Sequence, residues 1–468
     1  MFGLDLNLSI LLLICILCAC IFEFINGFHD TANAVATVIY TKSLKPIQSV
    51  VLSGVMNSIG VFAGGIAVAM GIVNLLPPES LVNMEVGQNI ALILALLFSA
   101  IIWNLGTWWL GIPASSSHTL IGSILGVGLV FSLTSTNGGI SGVNWAGANK
   151  TGLSLLISPL LGFGLTLFSM TLLKRFVKDP AIFKAPQGNK PPKFWIRMLL
   201  IASCAGLSFT HGSNDGQKGV GLIMLILISI APMKFAMDSS RNLYQMEVST
   251  QMALDKVILL DNAKMGPIDR AIADQIKAEL FDIKQVFDRN RINKIIPENE
   301  HINLRKDIIF IGVHIKKLKA AGALSSLSKD DLKKFESSVK EMKTFTEYAP
   351  NWVVLIISLS LGLGTMIGWK RIVVTIGEKI GKENLTYAQG ASAGIISALT
   401  IGFASYFGSP VSTTQVLSSG VAGSMVSSNG VKNLQGGTIR NIAIAWLLTL
   451  PVTMILSGGL FLIFRFLF

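Results

Sequence analysis

The sequence predicts an all-α polytopic membrane protein: about ten transmembrane segments in two inverted repeats, with broken helices or re-entrant hairpins, plus a helical cytoplasmic insert. Three observations predict it. Only 14% of the 468 residues are charged, against about 25% in a soluble domain. The charges are concentrated, because residues 234–349 hold 20 of the 38 Lys and Arg and 17 of the 26 Asp and Glu. The remaining chain falls into long apolar runs in which two unusual polar motifs each occur twice, in the same order.

A bilayer crossing takes roughly 20 apolar helical residues. In chain order such runs lie near 8–26, 47–74, 88–111, 115–133, 152–173, 194–213, 217–233, 350–369, 388–407, 412–428 and 440–464. The runs at 115–133 and 412–428 are short or glycine-rich, which suits half-helices. The first run has no basic leader and no cleavage pattern, so a retained helix is expected. Cys15, Cys18, Cys20 and Cys204 all lie in apolar runs, without the histidines or second pair of a zinc site. They are read as small buried apolar residues.

The net charge of +12 marks topology, not nucleic acid. Lys174, Arg175, Lys178, Lys184, Lys190, Lys193 and Arg197 cluster with a single acid, Asp179. Lys42 and Lys45 follow the first span. Basic loops face the cytoplasm, which places the N-terminus outside and the insert inside. The stretch 370–384, with Lys370, Arg371, Lys379 and Lys382, does not fit this alternation; Glu378 and Glu383 partly balance it. The expected organisation is a first repeat over 1–175, a basic cytoplasmic loop over 176–193, a second repeat over 194–237 and 350–468, and a polar insert over 238–349. The insert alternates charge and apolar residues at helical spacing. It is either a docking site for a cytoplasmic regulator or a solvated appendage.

The duplication rests on two motif pairs. Residues 111–126, GIPASSSHTLIGSILG, match 408–423, GSPVSTTQVLSSGVAG, at an offset of 297. Residues 26–35, NGFHDTANAV, match 211–220, HGSNDGQKGV, at an offset of 185. The offsets differ by 112 residues, close to the length of the polar insert that separates the two second-half motifs. One insertion therefore reconciles them. Repeats with polar motifs at matching places point to a transporter site near the bilayer midplane.

Charges inside a membrane are functional candidates by default, and here they are Glu23, Asp30, Asp215 and Lys218. Asp30 and Asp215 follow glycines where a helix can unwind. With Asn33 and Asn214 they offer oxygen ligands for a cation or a divalent metal; helix capping is the alternative. Pro113 and Pro410 each precede a helix start. Ser115 and Ser412 stand at the N-cap positions, followed by Ser116, Ser117, Thr413 and Thr414. Hydroxyls, free backbone N–H groups and the helix dipole together make an anion site without arginine or lysine; small residues at a helix contact are the alternative. His29 and His118 face Asn214 and Gln415 across the repeat. Imidazole changes charge near neutral pH, so these are candidates for proton coupling, against neutral hydrogen-bonded side chains. Lys218 stands where the first half has Asn33, and either replaces a cation or neutralises Asp215.

At these residues the sequence resembles the inorganic phosphate transporter family, in particular its bacterial low-affinity branch. The resemblance rests on Gly27-Phe28-His29-Asp30 with Thr31-Ala32-Asn33-Ala34, on Gly212-Ser213-Asn214-Asp215, and on the hydroxyl motifs at 113–117 and 410–414. It implies a multi-pass protein of the bacterial inner membrane that takes up inorganic phosphate by symport. It also implies proton coupling, with phosphate carried as a complex with Mg2+ or another divalent metal. Coupling to Na+ and transport of another oxyanion such as sulfate are the alternatives. His29 and Lys218 depart from the symmetric pattern and favour protons. By this resemblance Ser115, Ser116, Ser117, Ser412, Thr413 and Thr414 bind phosphate. Asp30, Asn33, Asn214 and Asp215 bind the coupling cation or metal, and Glu23 is a proton carrier. Expected partners are phosphate, membrane lipid, a second copy of the chain and a regulator at the insert, but no nucleic acid and no tightly bound cofactor. An enzyme is disfavoured: the pair His29-Asp30 resembles that of metal phosphohydrolases, yet His118, His211, His301 and His314 form no ligand-spaced cluster in the sequence. No Gly-Lys-Ser/Thr phosphate loop is present.

Overall fold

The computed structural model describes residues 1–77, 86–134, 142–188, 190–261, 265–290, 295–368, 370–374 and 379–468, but not the side chains of Thr31, Ala32, Asn33, Arg371 and Val374. Asn33, Arg371 and Glu378 thus lie, in side chain or entirely, outside the described residues. The chain divides into two compact units, residues 7–226 with 349–468, and residues 1–6 with 227–348.

The larger unit is built from long apolar helices. α1 spans Leu6–Tyr40, α2 Pro46–Ala63, α3 Ala67–Val73, α4 Val86–Trp109, α5 Ser116–Thr134 and α6 Trp145–Phe176. α7 (Phe194–His211) runs on through a π-helical turn, Gly212–Gly216, into α8 (Gln217–Ile230). After the insert come α13 (Asn351–Thr365), α14 (Tyr387–Tyr406), α15 (Thr413–Asn429) and α16 (Gly436–Phe464). Among the described residues seven stretches are long and apolar enough to cross a membrane: α1, α2, α4, α5, α6, α7–α8 and α16. The shortfall from ten has a physical cause. The runs 194–213 and 217–233 join into one helical stretch, α13 and α15 have only 15 and 17 residues, and α14 is rich in Gly, Ala and Ser. The expected span 47–74 bends between α2 and α3, where Gly65 takes φ +73°.

The helices interlock. α5 packs on α16 and α4, while α15 packs on α6 and α14. Each motif helix therefore rests on the last long helix of the other half of the chain. Glycine permits the approach. A Cβ at Gly126 would strike the carbonyl of Met454 in α16, and one at Gly423, 297 residues on, would strike the carbonyl of Phe163 in α6. The same exchange recurs at the other motif. A Cβ at Gly27 would meet the carbonyl of Leu361 in α13, and one at Gly212 the carbonyl of Asn57 in α2. Small residues let helix backbones touch where lipid supplies no hydrophobic drive. Gly111 and Gly408 both take positive φ, +66° and +63°, ahead of the two Pro-x-Ser motifs, and Pro159 and Pro451 lie inside α6 and α16.

The smaller unit is a bundle of α9 (Leu243–Ile258), α10 (Pro267–Asn290), α11 (His301–Ala320) and α12 (Lys329–Lys343). α9 packs on α10 and α12, and α11 also packs on both, closing a ring around Leu280, Ile283, Leu304, Ile308 and Phe335. Buried Arg305 donates to the carbonyls of Ala236 and Thr346, and Tyr348 Oη donates to the Met237 carbonyl at 3.2 Å. These bonds tie the two ends of the insert together. On α11, burial and the neighbouring carboxyl groups of Glu279 and Asp282 push Asp307 up to about 8.

Gly27→Ala forces backbone apart and should cost about 1–3 kcal/mol, read as a fall in Tm. Gly152→Ala, with open space at its Cβ, should be neutral or slightly stabilising. Asp307 holds its proton in the folded bundle and loses it when unfolded above its ordinary value. Its contribution is therefore fully present below pH ~4 and is lost as pH rises toward about 8. Hydrogen exchange in α11 should quicken over that range beyond the intrinsic rate, and Asp307→Asn should abolish the excess.

Candidate functional site

Asp30 lies in the C-terminal third of α1, and Asp215 in the π-helical turn between α7 and α8. Neither segment is unwound. α1 stays helical through Gly27–Asp30, and at 212–216 the helix widens without breaking. The glycines serve close packing, and a widened turn is a frequent device at functional sites. From His211 to Ile226 every residue is buried.

The two carboxylates meet at the starts of α5 and α15. Asp30 accepts from Ser116 Oγ and, at 2.6 Å, from Thr414 Oγ1. Asp215 accepts from Thr413 Oγ1 at 2.9 Å and pairs with Lys218. The pattern has an approximate two-fold. Ser116 and Thr413 each serve the aspartate of their own half, whereas Thr414 reaches across to Asp30 and Ser117 reaches across to the Val411 carbonyl at 2.8 Å. Lys218 Nζ, on a side chain 3% exposed, donates to Ser117 Oγ at 2.5 Å and to the Val411 carbonyl at 2.8 Å, besides Asp215. All three ammonium protons thus have oxygen partners.

The N-cap expectation matches the geometry. Ser115 Oγ accepts from His118 N at 3.1 Å, and Ser412 Oγ from Gln415 N at 3.2 Å. His118 Nδ1 lies 2.8 Å from Ser115 Oγ, so this imidazole sits on the first turn of α5. Asn214 turns away from the carboxylates. Its amide donates to Ser405 Oγ at 3.0 Å and accepts from Val411 N at 3.2 Å, which anchors the segment leading into α15. His29 lies with Nδ1 3.0 Å from Asp30 Oδ1 and Nε2 3.3 Å from Thr107 Oγ1. Glu23 is fully buried and packs against Gly219 of α8. One of its oxygens accepts from Asn26 at 3.2 Å, and the other has no hydrogen-bond partner among the described residues.

His211 was not among the candidates from sequence, and it belongs here. Its Nε2 is 3.2 Å from Asp215 Oδ2, and its Nδ1 is 3.0 Å from Asn57 Oδ1. Ligand atoms of Asp30, His211 and Asp215 all lie within 4.8 Å of one another, close enough to hold one metal ion. The signal was present: His211 and Asp215 are four residues apart, one helical turn. Asn57, Thr107 and the Val411 carbonyl carried no such signal, since their roles come from packing.

The buried pair makes a stability prediction. Asp215→Asn strands the Lys218 ammonium and should cost about 3–5 kcal/mol. The double variant Asp215→Asn/Lys218→Met should recover part of that loss, measured as Tm of the purified protein.

A model of the phosphate transporter family matches residues 26–457. The chain is 40% identical to the low-affinity inorganic phosphate transporter PitB of Escherichia coli, over 98% of this chain and 97% of that protein. It is 41% identical to the low-affinity inorganic phosphate transporter of Buchnera aphidicola, over 99% and 98%. A solved structure named as the sodium-dependent phosphate transporter superposes with a TM-score of 0.55 at 19% identity, covering 98% of this chain and all of that one; at that identity the likeness concerns the fold. The relatives are named as transporters, not enzymes. An integral membrane body, two polar motif pairs gathered at one buried site, and a match along nearly the whole length agree: the chain belongs to the phosphate transporter family.

Proposed function

We propose that the protein takes up inorganic phosphate by symport with protons, the anion lodging between the starts of α5 and α15. The observation that carries this is the double use of the hydroxyls. Ser116, Thr413 and Thr414 donate to Asp30 and Asp215. A phosphate at the two helix starts needs those same donors, together with the backbone N–H groups. Taking them strips hydroxyl donors from both buried carboxylates; Asp215 keeps the Lys218 ammonium, whereas Asp30 is left in a costly state unless positive charge arrives with the anion. Anion and cation entry are therefore coupled by the site itself.

His29 offers a route for the proton. With Nδ1–H donating to Asp30, its Nε2 can gain or lose a proton while Thr107 turns its hydroxyl between the imidazole and the carbonyl of Trp103, 2.9 Å away. Charge can then change beside Asp30 without breaking the His29–Asp30 contact. Glu23, with an unpartnered buried oxygen, is a second proton site. The cluster Asp30, His211 and Asp215 supports entry of phosphate together with a divalent metal, as a variant of the same reading. The interlocked pairs at Gly27/Gly212 and Gly126/Gly423 support two inverted repeats around this site.

Reconstituted in liposomes, the protein should concentrate radiolabelled phosphate under an inward proton gradient, more so with Mg2+ present. Ser116→Ala/Thr413→Ala should reduce uptake at least about tenfold, the loss of one or more charge-assisted hydrogen bonds. Uptake that follows a sodium gradient alone would replace the coupling ion. Absence of any gradient-driven phosphate uptake would move sulfate to the front.

A further inference from the structure

We infer that Lys218 is a built-in cation: its ammonium permanently fills, in the second half, the oxygen cage that in the first half takes a mobile coupling ion. The inference rests on the transport reading above and deepens it. The residues at corresponding places are Asp30 and Asp215, Asn33 and Lys218 (offset 185), and Thr414 and Ser117, Val411 and Ala114 (offset 297). In the second half, Asp215, Ser117 Oγ and the Val411 carbonyl surround one point, and Lys218 Nζ occupies it. A carboxylate, a hydroxyl and a backbone carbonyl are oxygen ligands of the kind that hold a monovalent cation in a membrane. An ammonium has three donors and no acceptor, and here three oxygens meet them. The cage is dry, with Lys218, Asp215 and Ser117 each 3% exposed or less.

The first half keeps the carboxylate and the hydroxyl without the tether. Asp30 accepts from Thr414, the counterpart of Ser117, and the corresponding backbone position is Ala114, which is fully buried. No lysine stands at position 33. One cage is therefore left for an ion that travels, and the chain needs one fewer coupling cation than a symmetric pair of cages would require. A fixed charge also keeps Asp215 compensated when the site is emptied, so that half is never stranded with a bare carboxylate.

Lys218→Asn tests this, because it gives the second half the first half's residue. Tm of the purified full-length protein is measured in NaCl and in choline chloride of equal ionic strength, without phosphate, alongside wild type. The variant should be destabilised in choline and should gain a sodium-dependent rise in Tm about 1–2 °C larger than any wild-type response, as expected for a newly bound ligand near tenfold saturation. Recovery of folded variant only when sodium is present throughout purification would support the inference equally. A folded variant whose sodium response equals that of wild type would overturn it. So would a variant that cannot be recovered with or without sodium, since the cage would then accept nothing but the tethered ammonium for structural reasons. Failure of wild-type phosphate uptake would sink the transport reading but would leave the sodium shift in Tm, so the two failures are distinguishable.

Discussion

Two carboxylates in the dry centre of an apolar body are the constraint around which this molecule is arranged. An ionised carboxylate removed from water costs several kcal/mol unless it is paired and hydrogen-bonded. Asp30 and Asp215 are 2% and 1% exposed, and each is met by two or more donors. Those donors cannot come from one helix. Besides Lys218 of α8, they are brought by α5 and α15, which start at the carboxylates because glycines and prolines set their entry, and which hold position because each is clamped on a long helix of the other half. The interlock and the site are one design: the cross-half contacts of Thr414 and Ser117 exist only where the exchanged helices cross.

This arrangement explains why a transporter can use so few charges. On the function proposed above, the anion needs no arginine, because hydroxyls and helix starts would supply the donors. In the structure the membrane-buried carboxylates hold those donors. Lys218 pairs with Asp215 and also donates to Ser117 Oγ and the Val411 carbonyl. His29 and His118 sit on different partners, the first on Asp30 and Thr107, the second on Ser115, so their shared departure from the repeat pattern conceals unlike environments.

Much of this was legible in the sequence, and the reasons for the remainder are physical. The helical class followed from apolar length, and the N-caps at Ser115 and Ser412 followed from the short-range preference of serine for helix starts. The convergence of Asp30 with Asp215 was implied by duplication. Helix continuity at Gly27 and Gly212 is not legible in the sequence, because a glycine that breaks a helix and a glycine that admits a neighbouring backbone look alike until the neighbour is known. The same limit hid Asn57, Thr107 and the Val411 carbonyl, which are recruited across gaps of up to about 300 residues. Asn214 anchors the lead into α15 through Ser405 and Val411, contacts that depend on which way the widened turn faces and that the sequence does not show.

The central claim is that donors from one half of the chain satisfy the carboxylate of the other. A double-mutant cycle tests it directly, with Asp30→Asn and Thr414→Val made singly and together and Tm converted to free energy. Asp30→Asn with Ser412→Ala serves as the reference pair, since Ser412 caps α15. The account predicts a coupling of about 1 kcal/mol or more between Asp30 and Thr414 and near-additivity in the reference pair. Additive effects of Asp30 and Thr414, in variants that remain folded, would contradict it.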